Sequence, residues 1–166
     1  MRGIFLGLHL ANLLMLATVF AAGVLAKAAG VDAAPWLPVH MALAIFASLL
    51  AALAHVATFT YFMATTNWLA AATAKADLDT GRFVVSARAQ KQRVLIWALA
   101  AVAATMLAMF VWPGGGPDAG ARWTGPAHLV LAYLALAVNL VAAMAQYGHL
   151  RARGRMMDQV LASLNE

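Results

Sequence analysis

Five histidines and no cysteine define the metal and redox chemistry open to this chain: His9, His40, His55, His128 and His149. Without cysteine there are no disulfides, no thiolate metal sites and no cysteine nucleophile. The six acids, Asp32, Asp77, Asp79, Asp118, Asp158 and Glu166, all fall outside the apolar stretches. That excludes carboxylate-bridged di-iron chemistry and a carboxylate proton relay. His40 and His55 bracket the run HMALAIFASLLAALAH, whose only internal hydroxyl is Ser48. On an α-helix the two rings stand about 22 Å apart along the axis and about 60° apart around it. They occupy nearly one face at two depths.

The elements that must position them are membrane helices. Of 166 residues, 64% are hydrophobic and only 10% are charged, against about 25% charged in a soluble domain. Four segments, about 4–27, 38–70, 94–112 and 126–147, each hold the roughly 20 apolar residues that a bilayer core requires. None alternates with period two, so a β-barrel is excluded. The expected fold is all-α, a four-helix transmembrane bundle in one integral membrane domain spanning 1–166. The first segment also resembles a signal peptide, with Arg2 before it and Ala26-Lys27-Ala28 after it; it is read as a retained helix. Residues 71–93 are expected to form a helical hairpin extension, turning at Leu78–Gly81.

The net charge of +5 is topogenic. Arg2, Lys75, Arg82, Arg88, Lys91, Arg93, Arg151, Arg153 and Arg155 fall on one side, and only Lys27 and Arg122 on the other. The positive-inside rule then puts both termini and the hairpin in the cytoplasm of a multi-pass protein of the cell inner membrane. Trp36, Trp112 and Trp123 fall at the outer interface and Trp68 near the inner one, as an aromatic belt would. A nucleic-acid partner is not expected.

Depth sorts the histidines. Trp36-Leu-Pro-Val-His opens the second span and Trp123-Thr-Gly-Pro-Ala-His opens the fourth. Proline suits the first helical turn, where its missing N–H would be an orphan in any case. This echo suggests two hairpins related by an approximate two-fold axis along the membrane normal, and it sets His40 and His128 at one depth near the outer face. His9 lies roughly 8 Å in from the inner side, and His55 roughly 25 Å below Pro38. The histidines thus form an outer layer, His40 with His128, and an inner layer, His9 with His55. Ionisable residues within the membrane are functional candidates by default. Haem b suits two imidazoles on facing helices of an apolar bundle without carboxylates. One or two haems, with His9, His40, His55 and His128 as iron ligands, would carry electrons across or within the bilayer. His128, Asn139 and Gln146 run as one polar seam, about 20° off register at each step. Asn139 is expected to hydrogen-bond a ligating imidazole or a haem propionate.

In its length, its four helices and its two histidine layers, the chain resembles the small di-haem b-type cytochromes of bacterial membranes: the cytochrome b561-like proteins and the anchor subunits of quinone-linked dehydrogenases. The resemblance runs from His9 to His128 and is architectural, and helix three carries no histidine. It implies electron exchange with quinone or a partner redox subunit, in a larger complex or a homo-oligomer, and leaves open a quinone-linked oxidoreductase activity.

Each residue also has a plainer reading. His40 and His128 could be interfacial helix-start residues, or hold copper or zinc with Met41. His9 with Asn12 could be an interhelical polar cluster, and Asn139 helix–helix glue. His149 reads as a solvated helix end. Thr58, Thr60, Tyr61, Asn67 and Trp68 form either a quinone-headgroup pocket or an ordinary polar interface, and Met106 is a minor candidate ligand. The function classes that remain beside the cytochrome are a non-redox anchor or assembly subunit and a histidine-based metal-binding membrane protein.

Overall fold

A computed structural model describes residues 2–28, 36–110 and 121–164. They form four α-helices: α1 (Arg2–Ala28), α2 (Trp36–Lys75), α3 (Thr80–Phe110) and α4 (Ala121–Leu164). Among the described residues there is no strand. Neighbours in sequence are neighbours in space: α1 lies on α2, α2 on α3, and α3 on α4, with narrower contacts between α1 and α4 and across the α2–α4 diagonal. The all-α four-helix bundle expected from hydropathy is the fold observed. Its helices outrun the expected spans, chiefly at the polar end, where α2, α3 and α4 extend to Lys75, Thr80 and Leu164. Trp112, Asp32 and Asp118 lie outside the described residues.

The surface is inverted relative to a soluble bundle. Ile45, Phe46, Leu49, Leu53, Val56, Ile96, Leu99, Leu107, Val130 and Leu140 are exposed, while His55, Asn12, Asn139, Gln146 and Arg153 are fully buried. Lipid tails are as apolar as leucine, so large side chains gain nothing by facing inward; small and polar residues make the helix contacts instead. Ala47, Ala51, Ala54, Ala98, Ala101, Ala104, Ala135 and Ala142 fill the seams accordingly. All four helices are long and apolar enough to cross a membrane. The chain is a multi-pass membrane protein.

The interior threonines are satisfied within their own helices. Thr58, Thr66, Thr73 and Thr105 donate to the carbonyls of Ala54, Phe62, Leu69 and Ala101 at 2.7–2.9 Å. This back-bonding to the preceding turn lets a hydroxyl sit in an apolar helix without a tertiary partner.

The α2–α3 turn follows from its residues. The Leu78 amide donates to the Thr73 carbonyl at 3.0 Å, closing the helix in the manner of a Schellman motif. Asp77 takes the left-handed conformation at φ 53°, which aspartate tolerates better than most residues. Asp79 then caps α3, its Oδ1 accepting from the Arg82 amide at 3.0 Å. Leu69, Ala72, Ala87 and Val160 form a small apolar core there, with Trp68, Leu78, Phe83, Met156 and Met157 packed around it. The expected hairpin is therefore a three-helix extension. α4 runs on without a break past Arg151 to Leu164.

Arg153 ties this end together. Its Nε donates to Gln90 Oε1 at 3.1 Å, Nη1 to Thr66 Oγ1 at 3.1 Å and Nη2 to the Ala87 carbonyl at 2.7 Å. Its guanidinium also lies 5.0 Å from the Phe62 ring centre, a cation–π arrangement. One α4 side chain thus holds both α2 and α3. Arg153→Leu is expected to cost about 2–3 kcal/mol, because two buried acceptors and the half-buried Gln90 oxygen lose their donor. Unfolding in mixed micelles measures this; unchanged stability would mean the guanidinium is not the clamp.

Candidate functional site

The two histidine layers read from depth are both present as neighbours in space. The His40 and His128 rings are centred 6.1 Å apart with an interplanar angle of 81°. His9 and His55 are centred 5.1 Å apart at 70°. The environments of the two pairs differ.

The outer pair joins α2 to α4 across the bundle. The His40 Nδ1–H donates to the Val19 carbonyl of α1 at 3.2 Å, which fixes the tautomer and leaves Nε2 with its lone pair. A backbone carbonyl on the far nitrogen is the usual support of a metal-ligating imidazole. Gly23 of α1 lies against the same ring. A Cβ there would stand 3.0 Å from His40 Cε1 and 3.3 Å from Nδ1, so the glycine is what admits the ring. Two metal–nitrogen bonds of about 2 Å, with about 1 Å from each nitrogen to its ring centre, span about 6 Å, close to the separation observed. Among the described residues no group of three or more His, Cys, Asp or Glu could hold a metal ion. Two imidazoles therefore suit a group that brings its own equatorial ligands, as a porphyrin does. They fall short of a closed zinc site, and Met41 is exposed.

The inner pair sits in a polar cluster: His55 belongs to a hydrogen-bonded group that reaches all four helices, and His9 packs against its ring and bonds Thr58. His55 Nε2 is 3.2 Å from Asn139 Oδ1, and Nδ1 is 3.2 Å from Gln146 Oε1. Asn12 Nδ2 donates to Asn139 Oδ1 at 3.0 Å. Asn139 Nδ2 donates to the Ala135 carbonyl at 2.8 Å, to Thr105 Oγ1 at 2.9 Å and to the Ala101 carbonyl at 3.3 Å. His9 Nε2 donates to Thr58 Oγ1 at 3.1 Å, the Thr58 proton being committed to Ala54. His9 Nδ1 and Asn12 Oδ1 are buried without a partner. Both His55 nitrogens face amide oxygens of α4 at 3.2 Å, so a metal bound there would have to displace Asn139 or Gln146.

The internal echo accounts for the difference. The register that superposes His40 on His128 superposes His55 on Ala143. No imidazole on α4 faces His55. Asn139 and Gln146, a turn to either side of Ala143, hold its ring instead. Asn139 faces an imidazole, that of His55 in the inner layer.

The remaining candidates disperse. Thr58 is buried on His9, Thr60 and Asn67 are exposed, the Tyr61 hydroxyl meets Met157 Sδ at 3.7 Å, and Trp68 packs on the apolar core beside Leu69. They do not share one surface. His149 is half-buried, and so is Met106. Arg153, one of the topogenic charges by sequence, is fully buried; its signal is the seam itself, since Asn139, Gln146 and Arg153 follow one another at steps of seven. No protein-family model matches the chain, and neither a curated protein nor a solved structure does.

Proposed function

We propose that this chain is a b-type membrane cytochrome with one haem between His40 and His128, moving electrons to or from quinone or a partner redox subunit. The observation that carries this is the outer pair: two imidazoles on diagonal helices, 6.1 Å apart, one oriented by the Val19 carbonyl. When bound, haem b supplies one-electron chemistry. The chain's own residues do the rest. Val19 holds the His40 tautomer, Gly23 leaves the ring its place, and the alanine-rich helix seams keep water away. The test is the absorption spectrum of protein purified with haem supplied. A Soret band with a sharp α-band on reduction supports the cytochrome; a featureless visible spectrum returns the chain to a non-redox anchor.

The proposed orientation puts both termini and the Asp77–Asp79 turn in the cytoplasm of the inner membrane, following the lysine and arginine asymmetry. Single cysteines at positions 79 and 118 test it with an impermeant thiol reagent on intact cells. Labelling at 118 alone is expected; labelling at 79 would invert the topology.

A further inference from the structure

The polar end of the α3–α4 seam carries two arginines with opposite surroundings. Arg153 turns inward and is committed to Gln90, Thr66 and Ala87. Arg93 is exposed, and among the described residues nothing accepts from its guanidinium. A fork of N–H donors thus stands at the rim of an apolar bundle without a protein acceptor.

Hydrogen bonds across the seam set its register. Gln146 Nε2 donates to the Val94 carbonyl at 3.4 Å, Arg153 Nη2 to the Ala87 carbonyl at 2.7 Å, and Gln90 Nε2 to Met156 Sδ at 3.4 Å. Arg93 is therefore level with His149 on antiparallel α4. The two interact: after burial, the Arg93 charge is the second cause that holds the His149 imidazole below the usual histidine range. Both residues stand where their helices turn apolar, since Val94 opens the run on α3 and Tyr147 closes it on α4. For helices that cross a bilayer this is the depth of the lipid headgroups.

The surface beside them is open and made of small residues. Gly148 is exposed, and a Cβ there would meet nothing within 4 Å. Ala152 follows one turn on, and the exposed Arg155 three residues later. Helical side chains lean toward the N-terminus of their own helix. α4 leaves the apolar region at this end and α3 enters it. Arg155 therefore leans back over Ala152, and Arg93 leans away from the hydrocarbon toward the same level. On the apolar side of this shelf, Ile96 and Leu99 of α3 and Val141 and Met144 of α4 are exposed. The described acids lie elsewhere. Asp77 and Asp79 are in the α2–α3 turn, and Asp158 is about half a turn around α4 from His149, on the side of Tyr61.

We propose that Arg93, His149, Gly148 and Arg155 form a binding site for the headgroup phosphate of an anionic phospholipid, its acyl chain lying on the apolar α3–α4 surface. The phosphate oxygens accept from both guanidiniums, whose planar forks match them in pairs. The His149 ring adds a further N–H, and Gly148 leaves the headgroup its room. A zwitterionic lipid would bring its own cation against the two arginines, so an anionic one is preferred. Bound there, the lipid fastens α3 to α4 at the base of their protruding ends. Nothing in this site depends on haem.

The test reads lipid retention directly. Intact protein, delipidated in detergent, is mixed with phosphatidylglycerol or with phosphatidylcholine and examined by native mass spectrometry. One phosphatidylglycerol is expected to bind in preference to phosphatidylcholine. Arg93→Gln and Arg155→Gln should each weaken it by about fivefold, the usual worth of one juxtamembrane cation. Arg82→Gln makes the same charge change at the α2–α3 turn and should leave binding as it was. Gly148→Leu removes no charge, yet should weaken binding by filling the open surface; should it not fold, the arginine series decides. Millimolar inorganic phosphate should not displace the lipid. The proposal is overturned if phosphatidylcholine binds as well, if Arg82→Gln costs as much as Arg93→Gln, if folded Gly148→Leu binds as the native chain does, or if free phosphate displaces the lipid, which would make this a small-anion site.

Discussion

His40→Ala and His128→Ala, each purified with haem supplied, are expected to lose the low-spin b-type spectrum, pigment falling from about one per chain to about none or converting to high spin. In the proposed reading each variant would remove one of the two imidazoles that would hold the haem, and the other described histidines lie elsewhere. His9 and His55 are committed to the inner cluster, and His149 is on the last turns of the polar end. Gly23→Val should act in the same direction without touching a ligand, because a side chain at that position meets the His40 ring. His55→Leu should keep its pigment, which separates one haem from the two that depth alone suggested. If both single variants at the outer pair retain the full low-spin spectrum, the haem assignment is wrong.

Asn139→Leu is expected to destabilise the bundle by about 2–3 kcal/mol in unfolding from mixed micelles, since interhelical hydrogen bonds in membranes average about 0.6 kcal/mol each. Asn139 makes such bonds to Asn12 of α1, His55 of α2, and Thr105 and Ala101 of α3. The leucine would also strand the Asn12 amide and the His55 Nε2–H in an apolar interior, which pushes the cost upward. Asn12→Leu, which removes one bond and one orphaned oxygen, should be close to neutral. Equal costs for the two variants would mean that Asn139 is not the hub.

Much of this was legible because the bilayer constrains sequence so tightly. Span number follows from apolar length. Histidine layers follow from counting 1.5 Å steps from the Pro-x-His starts, and the pairs so derived are neighbours in the structure. What sequence could not decide was chemistry within a layer. His55 and His40 carry the same side chain, yet one is closed on both nitrogens by α4 amides and the other is held on one nitrogen by an α1 carbonyl. Those partners lie on other helices, and their reach depends on rotation about each helix axis, which depth does not fix. Gln146 was visible as part of a seam but not as the His55 partner. Arg153 was counted with the topogenic charges although its spacing continued that seam. α4 runs past the apolar span because hydropathy falls after Tyr147 while helix propensity does not.

That length has a mechanical consequence. α4 has 44 residues and α2 has 40, about 60–66 Å each at 1.5 Å per residue, roughly twice the hydrocarbon thickness. No proline interrupts α4 beyond Pro126 near its start. Arg153 and the Leu69–Val160 core lash the three protruding ends into one stiff mast. A mast anchored in the membrane is a lever. A change of tilt of about 10° would swing the tip of a 25–30 Å arm by about 4–5 Å. A small shift where the helices leave the apolar region would therefore reach the tip as a displacement of several ångströms, about the reach of a hydrogen bond.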